Sequence, residues 1–234
     1  MLKLSGELLG GARGVGLDDG GVALVAGQVA GAVAAGAEVA VVLGGGNIVR
    51  GAQASHYLTR TEADGIGMLA TVMNALAVRG ALDKRGVRAR VTSAFSVPQL
   101  ADLYRPDLGR ELLAAGSVLL LAGGTGNPYF STDTAAALRA LELDCTVLIK
   151  GTKVDGVYES DPRRDPHARR FARLEYAEVL ARRLGVMDLT AITLCMENRL
   201  PVVVLNATIE GSVRLFLEGQ EIGTRILPGE AVRP

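Results

Sequence analysis

Three glycines and a run of hydroxyl side chains fill the segment Gly123-Gly124-Thr125-Gly126-Asn127-Pro128-Tyr129-Phe130-Ser131-Thr132-Asp133. Such a segment can hold phosphate. Glycine lets backbone come close to an anion, and Ser131, Thr132 and Asp133 are helix N-cap residue types that would aim free N–H groups and a positive dipole end at the loop. The same composition also makes an ordinary strand-to-helix turn, and the loop alone does not separate the two readings. Three more segments carry comparable chemistry: Lys3-Leu4-Ser5-Gly6-Glu7, Gly44-Gly45-Gly46-Asn47 with Arg50 beyond it, and Gly151-Thr152-Lys153-Val154-Asp155-Gly156. A lysine followed by Ser-Gly at a strand end is seldom only a solvated charge. No GxxxxGK[ST] loop is present.

These segments need a rigid edge to sit on. Apolar, β-branched runs predict strands over 38–43, 88–94, 117–122, 146–150 and 201–206, and their continuous hydrophobicity suits strands buried on both faces. Helical patterns between them cover 20–35, 65–85, 133–143, 175–184, 188–198 and 210–218, with left-handed glycine caps expected at Gly86, Gly116, Gly185 and Gly219. Alternation of this kind predicts an α/β fold, a three-layer αβα sandwich on a mostly parallel central sheet, in one domain over 1–234. In open α/β sheets ligands bind beyond the carboxyl ends of the strands, and all four motifs fall at strand ends or at the chain start. The segment 161–170, with two prolines and four arginines, reads as a solvated connection.

A chain of 234 residues with 49% hydrophobic content can bury one large core. Its 25 basic and 25 acidic residues cancel, so no global field would steer it to nucleic acid or an anionic membrane. Cys145 and Cys195 are the two cysteines, without a CxxC or a nearby histidine pair. That argues against a disulfide scaffold or zinc site and fits a reducing cytoplasm, with both thiols buried and inert. No apolar run approaches the roughly 20 residues that span a bilayer, and no signal-peptide core stands at the N-terminus.

The residues quoted, in this order, resemble the amino acid kinase family and, within it, the bacterial uridylate (UMP) kinases, from Lys3 to the C-terminus. The specific pieces are Lys3-Leu4-Ser5-Gly6-Glu7, Gly44-Gly45-Gly46-Asn47 with Arg50-Gly51, Gly67-Met68-Leu69-Ala70-Thr71-Val72-Met73-Asn74, Gly124-Thr125-Gly126-Asn127-Pro128 and Thr152-Lys153-Val154-Asp155-Gly156-Val157-Tyr158. The resemblance implies ATP-dependent phosphorylation of UMP to UDP in pyrimidine nucleotide synthesis, with the acceptor (UMP) side in the N-terminal part and the ATP side over roughly 145–234. It gives Lys3 to the transferred phosphoryl and Asp133 to orienting the lysines about it. It assigns ATP to Lys3, Leu4, Ser5, Gly6, Gly46, Arg50, Thr152, Tyr158 and Asp161, and UMP to Gly45, Asp64, Thr125, Gly126, Asn127, Pro128, Tyr129, Phe130, Ser131 and Thr132. A second phosphate-neutralising lysine is Lys150 or Lys153, and Asp188 is either an acidic group near the site or a helix N-cap. The implied cofactor is Mg2+, held largely by phosphate oxygens and water, with no protein ligand named. Gly11, Ala12, Arg13, Gly14, Val15 and Gly16 match a segment linked to GTP activation; UTP inhibition and a homohexamer are further implications.

Some positions depart from the family pattern. Only Met1 and Leu2 precede Lys3, so the first strand is expected to be short and to leave neighbouring backbone groups unpaired. Read alone, Asp64 is a helix N-cap, and Gly65 and Ile66 would loosen the start of its helix by up to about 1 kcal/mol. Thr146 replaces an acidic residue, which could touch nucleotide or metal handling, and Ser96-Val97-Pro98-Gln99 also differs. Rival readings are a kinase of the same fold acting on a carboxylate or carbamate, and a noncatalytic nucleotide-binding protein. A dinucleotide-binding module would need a GxGxxG after the first strand, which is absent.

Overall fold

Alternation along each strand decides which side of the sheet an apolar residue serves. The computed structural model describes residues 1–49, 57–160, 165 and 167–229. Its strands are β1 (Leu2–Leu4), β2 (Ala40–Leu43), β3 (Ala89–Ser93), β4 (Asp102–Leu103), β5 (Val118–Ala122), β6 (Leu148–Thr152), β7 (Arg173–Glu175), β8 (Val202–Asn206) and β9 (Thr224–Leu227). They form one sheet in the order β4-β3-β5-β2-β1-β6-β8-β9-β7, parallel throughout except at the β8–β9 pair. Leu2, Leu4, Val41, Leu43, Leu120 and Val203 point into one apolar layer. Ala40, Val42, Leu119, Leu121, Leu148, Val202 and Val204 point into the other.

Helices cover both faces. The first layer takes α1 (Gly6–Leu9), α2 (Asp19–Ala34), α3 (Arg60–Asp83) and, by way of Val213, α8 (Ser212–Leu217). The second takes α4 (Pro106–Ala114), α5 (Thr132–Glu142), α6 (Tyr176–Ala181) and α7 (Leu189–Glu197). The expected three-layer αβα arrangement is present.

Where the sequence and the fold part, the cause is local. β1 is short but fully central: its three residues pair in parallel with β2 on one side and β6 on the other. The Met1 amino group donates to Val147 O at 2.9 Å, and Met1 O accepts from Ile149 N at 2.9 Å. The expected unpaired backbone therefore does not arise along these residues. Helix α3 starts five residues before the expected position, because Thr59 and Glu62 form a reciprocal capping box. Gly65 and Ile66 consequently lie inside the helix rather than at its start. This 24-residue helix also meets the length and composition test for a membrane span, contrary to the sequence reading. Its Val72, Ala75, Val78 and Leu82 are buried in the first layer, the position of a core helix.

Gly86, Gly116 and Gly219 adopt positive φ as expected, but at the Gly185 turn the left-handed residue is Arg183, at φ 51°. Cys195 is buried and burial pushes its thiol up to about 12, whereas Cys145 is half-buried rather than buried. The sequence pattern also left α1, α4, β4, β7 and β9 unassigned; apart from α4 these elements have two to four residues, too few to show a period.

Candidate active site

Parallel pairing brings the carboxyl ends of β5, β2, β1 and β6, four adjacent strands, to one edge. Each is followed by one of the four motifs: residues 123–132, 44–47, 5–7 and 153–156. At their centre Asp133 receives two cations. Lys3 Nζ, from β1, lies 2.7 Å from Asp133 Oδ1, and Lys150 Nζ, from β6, lies 2.6 Å from Oδ2. Lys150 also donates to Val186 O at 2.6 Å. The three side chains are 12%, 13% and 16% exposed for Lys3, Asp133 and Lys150. Burial pushes the Asp133 carboxyl up, yet the two ammonium groups outweigh it and hold it below the usual carboxylate range. Burial lowers Lys150, partly opposed by Asp133. Of the two lysines left open above, Lys150 is the one at the centre. Lys153 is 40% exposed and sits 3.4 Å from Glu7.

The helix that carries Asp133 is capped with care. Ser131, not Asp133, is the N-cap of α5, and its Oγ accepts from Asp133 N at 3.0 Å and Thr134 N at 3.1 Å. That hydroxyl donates in turn to Asp188, which also accepts from Thr134 Oγ1 at 2.8 Å and from Ala191 N at 3.1 Å. Asp188 thus caps α7 and braces α5 together, so both readings of it meet in one side chain. The Ser131 hydroxyl is committed to these partners.

Two cavities flank the centre. One of about 180 Å3 is lined by Gly45, Gly46, Asp64, Gly67, Thr71, Gly124, Thr125, Asn127, Phe130 and Thr132, among others. Close approach needs glycine here: a Cβ on Gly45 would stand 2.6 Å from Gly67 O of α3. Gly123 at φ 78° donates its N–H to Thr71 Oγ1 at 2.8 Å, which ties the loop to α3. Asp64 lies in the second turn of α3 and is not an N-cap; its carboxylate accepts from Arg60 Nε at 2.9 Å and from Tyr129 N at 2.8 Å. Tyr129 itself is exposed and held at φ 71°. Gly126, Pro128, Tyr129 and Ser131 do not line this cavity.

The second cavity, about 450 Å3, is lined by Lys150, Thr152, Val154, Gly156, Val157, Tyr158, Glu159, Ser160, Val204 and the turn 182–186. Tyr158 is half-buried and its hydroxyl donates to Asp155 Oδ1 at 2.5 Å, so it is a wall of the cavity rather than core. Leu4 is wholly buried and offers no side chain to either cavity, because its place on β1 points it into the first layer. Ser5 caps α1. Arg50 and Asp161 lie outside the described residues. Thr146 lies at the opposite, amino end of the strands, beside Met1 in a largely apolar cavity of about 300 Å3 lined by no lysine or arginine. Its substitution does not reach the charged centre.

The sequence reading missed the wall formed by Arg182, Arg183, Leu184, Gly185 and Val186. Its signals were weak: a helix that stops early and one non-glycine residue with positive φ. Among the described residues no group of three or more acidic, histidine or cysteine side chains could hold a metal ion.

A model of the amino acid kinase family matches residues 1–206. The chain belongs to the amino acid kinase family. Solved relatives agree over nearly the whole length of this family member. The UMP kinase of Bacillus anthracis superposes with a TM-score of 0.94 at 32% identity, covering 97% of this chain and 94% of that one. The UMP kinase of Ureaplasma parvum gives 0.91 at 33% identity, with 97% of each chain covered. Among amino acid kinases the fold is thus matched by two that act on a nucleoside monophosphate.

Proposed function

We propose that this amino acid kinase is a UMP kinase that transfers the γ-phosphoryl of ATP to UMP, giving UDP and ADP. One observation carries the reading. Lys150 lines the larger cavity, Thr132 lines the smaller, and the Lys150–Asp133 pair at 2.6 Å joins them through the residue next to Thr132. Donor and acceptor then face each other across a buried, doubly cationic centre. ATP occupies the cavity of Thr152 and Tyr158, with Ser5, Gly6, Arg50 and Asp161 as further contacts and Leu4 offering backbone alone; Gly46, expected at ATP, lines the smaller cavity instead. UMP occupies the cavity of Gly45, Asp64, Thr125, Asn127, Phe130 and Thr132, with Gly126, Pro128, Tyr129 and Ser131 shaping the loop. Lys3 and Lys150 neutralise charge on the moving phosphoryl, and Asp133, ionised at neutral pH, keeps both ammonium groups aimed at it.

The acceptor phosphate oxygen attacks the γ-phosphorus of ATP while the bond to the β-phosphate oxygen breaks, so no covalent protein intermediate is needed. Magnesium would be carried by phosphate oxygens and water, since the carboxylate at the centre is already engaged by two lysines. Its chemistry is charge neutralisation on the phosphates. A place in pyrimidine nucleotide synthesis, a cytoplasmic location, homohexamer formation, and GTP activation through Gly11, Ala12, Arg13, Gly14, Val15 and Gly16 with UTP inhibition belong to the same proposal. An ADP-release assay with UMP, CMP and dTMP tests it: UMP is turned over far faster than the other two. Equal turnover of CMP, or none with UMP, contradicts the reading.

A further inference from the structure

Helix α3 buries two amides that the mechanism above does not use. Asn74, fully buried, and Asn47, 3% exposed, face each other and bond reciprocally. Asn74 Nδ2 donates to Asn47 Oδ1 at 2.7 Å, and Asn47 Nδ2 donates to Asn74 Oδ1 at 3.0 Å. Their remaining amide hydrogens go to backbone: Asn74 Nδ2 to Gly44 O at 2.7 Å and Asn47 Nδ2 to Gly16 O at 2.7 Å. Both outer partners are carbonyl oxygens, so only the nitrogens can face them and the orientation of each amide is fixed. All four hydrogens are used. A fully satisfied polar pair in an otherwise apolar layer specifies one arrangement of the segments it joins.

Two of those segments line the smaller cavity, through Gly45 and Gly46 of the loop and through Asp64, Gly67 and Thr71 of α3. Gly44 opens the glycine loop between the cavities and is fastened to β1 by its N–H on Leu4 O at 2.9 Å. Gly6, just after β1, has no room for a side chain: a Cβ there would lie 2.4 Å from Gly44 O and 2.5 Å from Asn47 Oδ1. Helix α3 carries Asp64 and Thr71 on the acceptor side. Gly16 ties in the 11–16 turn twice, since its N–H also donates to Asn47 O at 2.7 Å.

We propose that Asn47 and Asn74 are positioning residues for phosphoryl transfer: their amide pair fixes the 44–46 loop and thereby the spacing between the Ser5–Gly6 turn and helix α3. The proposal rests on the reading of these walls as the donor and acceptor sides. Misplacing reacting groups by about 1 Å costs on the order of 100-fold in rate, whereas ground-state contacts to each nucleotide, made by other residues, persist.

The test is steady-state kinetics of Asn47→Ala, Asn74→Ala and the double variant, with near-UV circular dichroism and thermal unfolding on the same samples. Folded variants are expected to lose about 100-fold in kcat while KM for ATP and for UMP stays within about threefold. The double variant falls no further than the worse single one, within about threefold, because the pair acts as a unit. Folded variants that lower only the unfolding temperature, with kcat unchanged, overturn the proposal. So does failure of both single variants to fold, which would make the pair a tie of the core alone. Lys3→Met in parallel separates the two readings: if it leaves kcat intact, the active-site assignment fails; if it abolishes turnover while the asparagine variants do not, this inference alone fails.

Discussion

The cavities proposed for acceptor and donor lie to either side of the Lys150–Asp133 pair but are built differently. The acceptor side sets helix against loop: Asp64, Gly67 and Thr71 from α3 and Thr132 on the first turn of α5 face Gly45, close against α3, and the 124–130 loop. The donor side is larger and made mostly of connections, residues 153–160 and 182–186, with only Lys150, Thr152 and Val204 from strands. A wall of helix and glycine backbone fixes distances and so suits selection of a small acceptor. A wall of loops adapts, and suits a nucleotide held by its phosphates and one aromatic ring.

That contrast can be broken or sharpened by substitution. The largest change outside the charged centre is expected at Asp64. Asp64→Asn removes a charged acceptor from a rigid wall, so KM for UMP rises on the order of 10- to 100-fold while KM for ATP is unmoved. A matching rise for ATP would erase the distinction between the two cavities. Tyr158→Ala, on the adaptable wall, raises KM for ATP by about fivefold and leaves UMP unaffected. An effect on ATP larger than that of Asp64→Asn on UMP would reverse the comparison.

The smallest effect concerns pH. Burial lowers Lys150, with Asp133 partly opposing it, so the alkaline limb of kcat begins below the ordinary lysine range, about 10.4. Activity is lost as pH rises, because the neutral amine no longer screens the phosphoryl group. Asp64→Asn leaves this limb in place; a limb at or above the ordinary range contradicts the burial argument.

The same contrast explains what could be read in the sequence. Glycine runs at the ends of β2 and β5, and the lysines of β1 and β6, announce themselves by type and spacing, and a parallel sheet brings them together. The choice between Lys150 and Lys153 could not be read. It depends on strand β6 continuing through Thr152, which turns Lys150 toward Asp133 and leaves Lys153 beyond the strand end. Helix α3 starts ahead of the expected place because the capping box from Thr59 to Glu62 overrides the glycine at 65. The 182–186 wall has no motif; its position follows from where α6 stops. Ser131 looked like a ligand residue, and only the packing of α7 against α5 shows its hydroxyl engaged by Asp188.

In the proposed reaction Asp133 organises Lys3 and Lys150 for transfer rather than holding nucleotide. Single-turnover phosphorylation of UMP by Asp133→Asn, measured together with ATP affinity, tests it most directly. The expected result is a loss on the order of 1,000-fold in rate, with ATP affinity within a few-fold of the parent. An unchanged rate, or a loss that tracks ATP affinity, would return Asp133 to a structural group of helix α5.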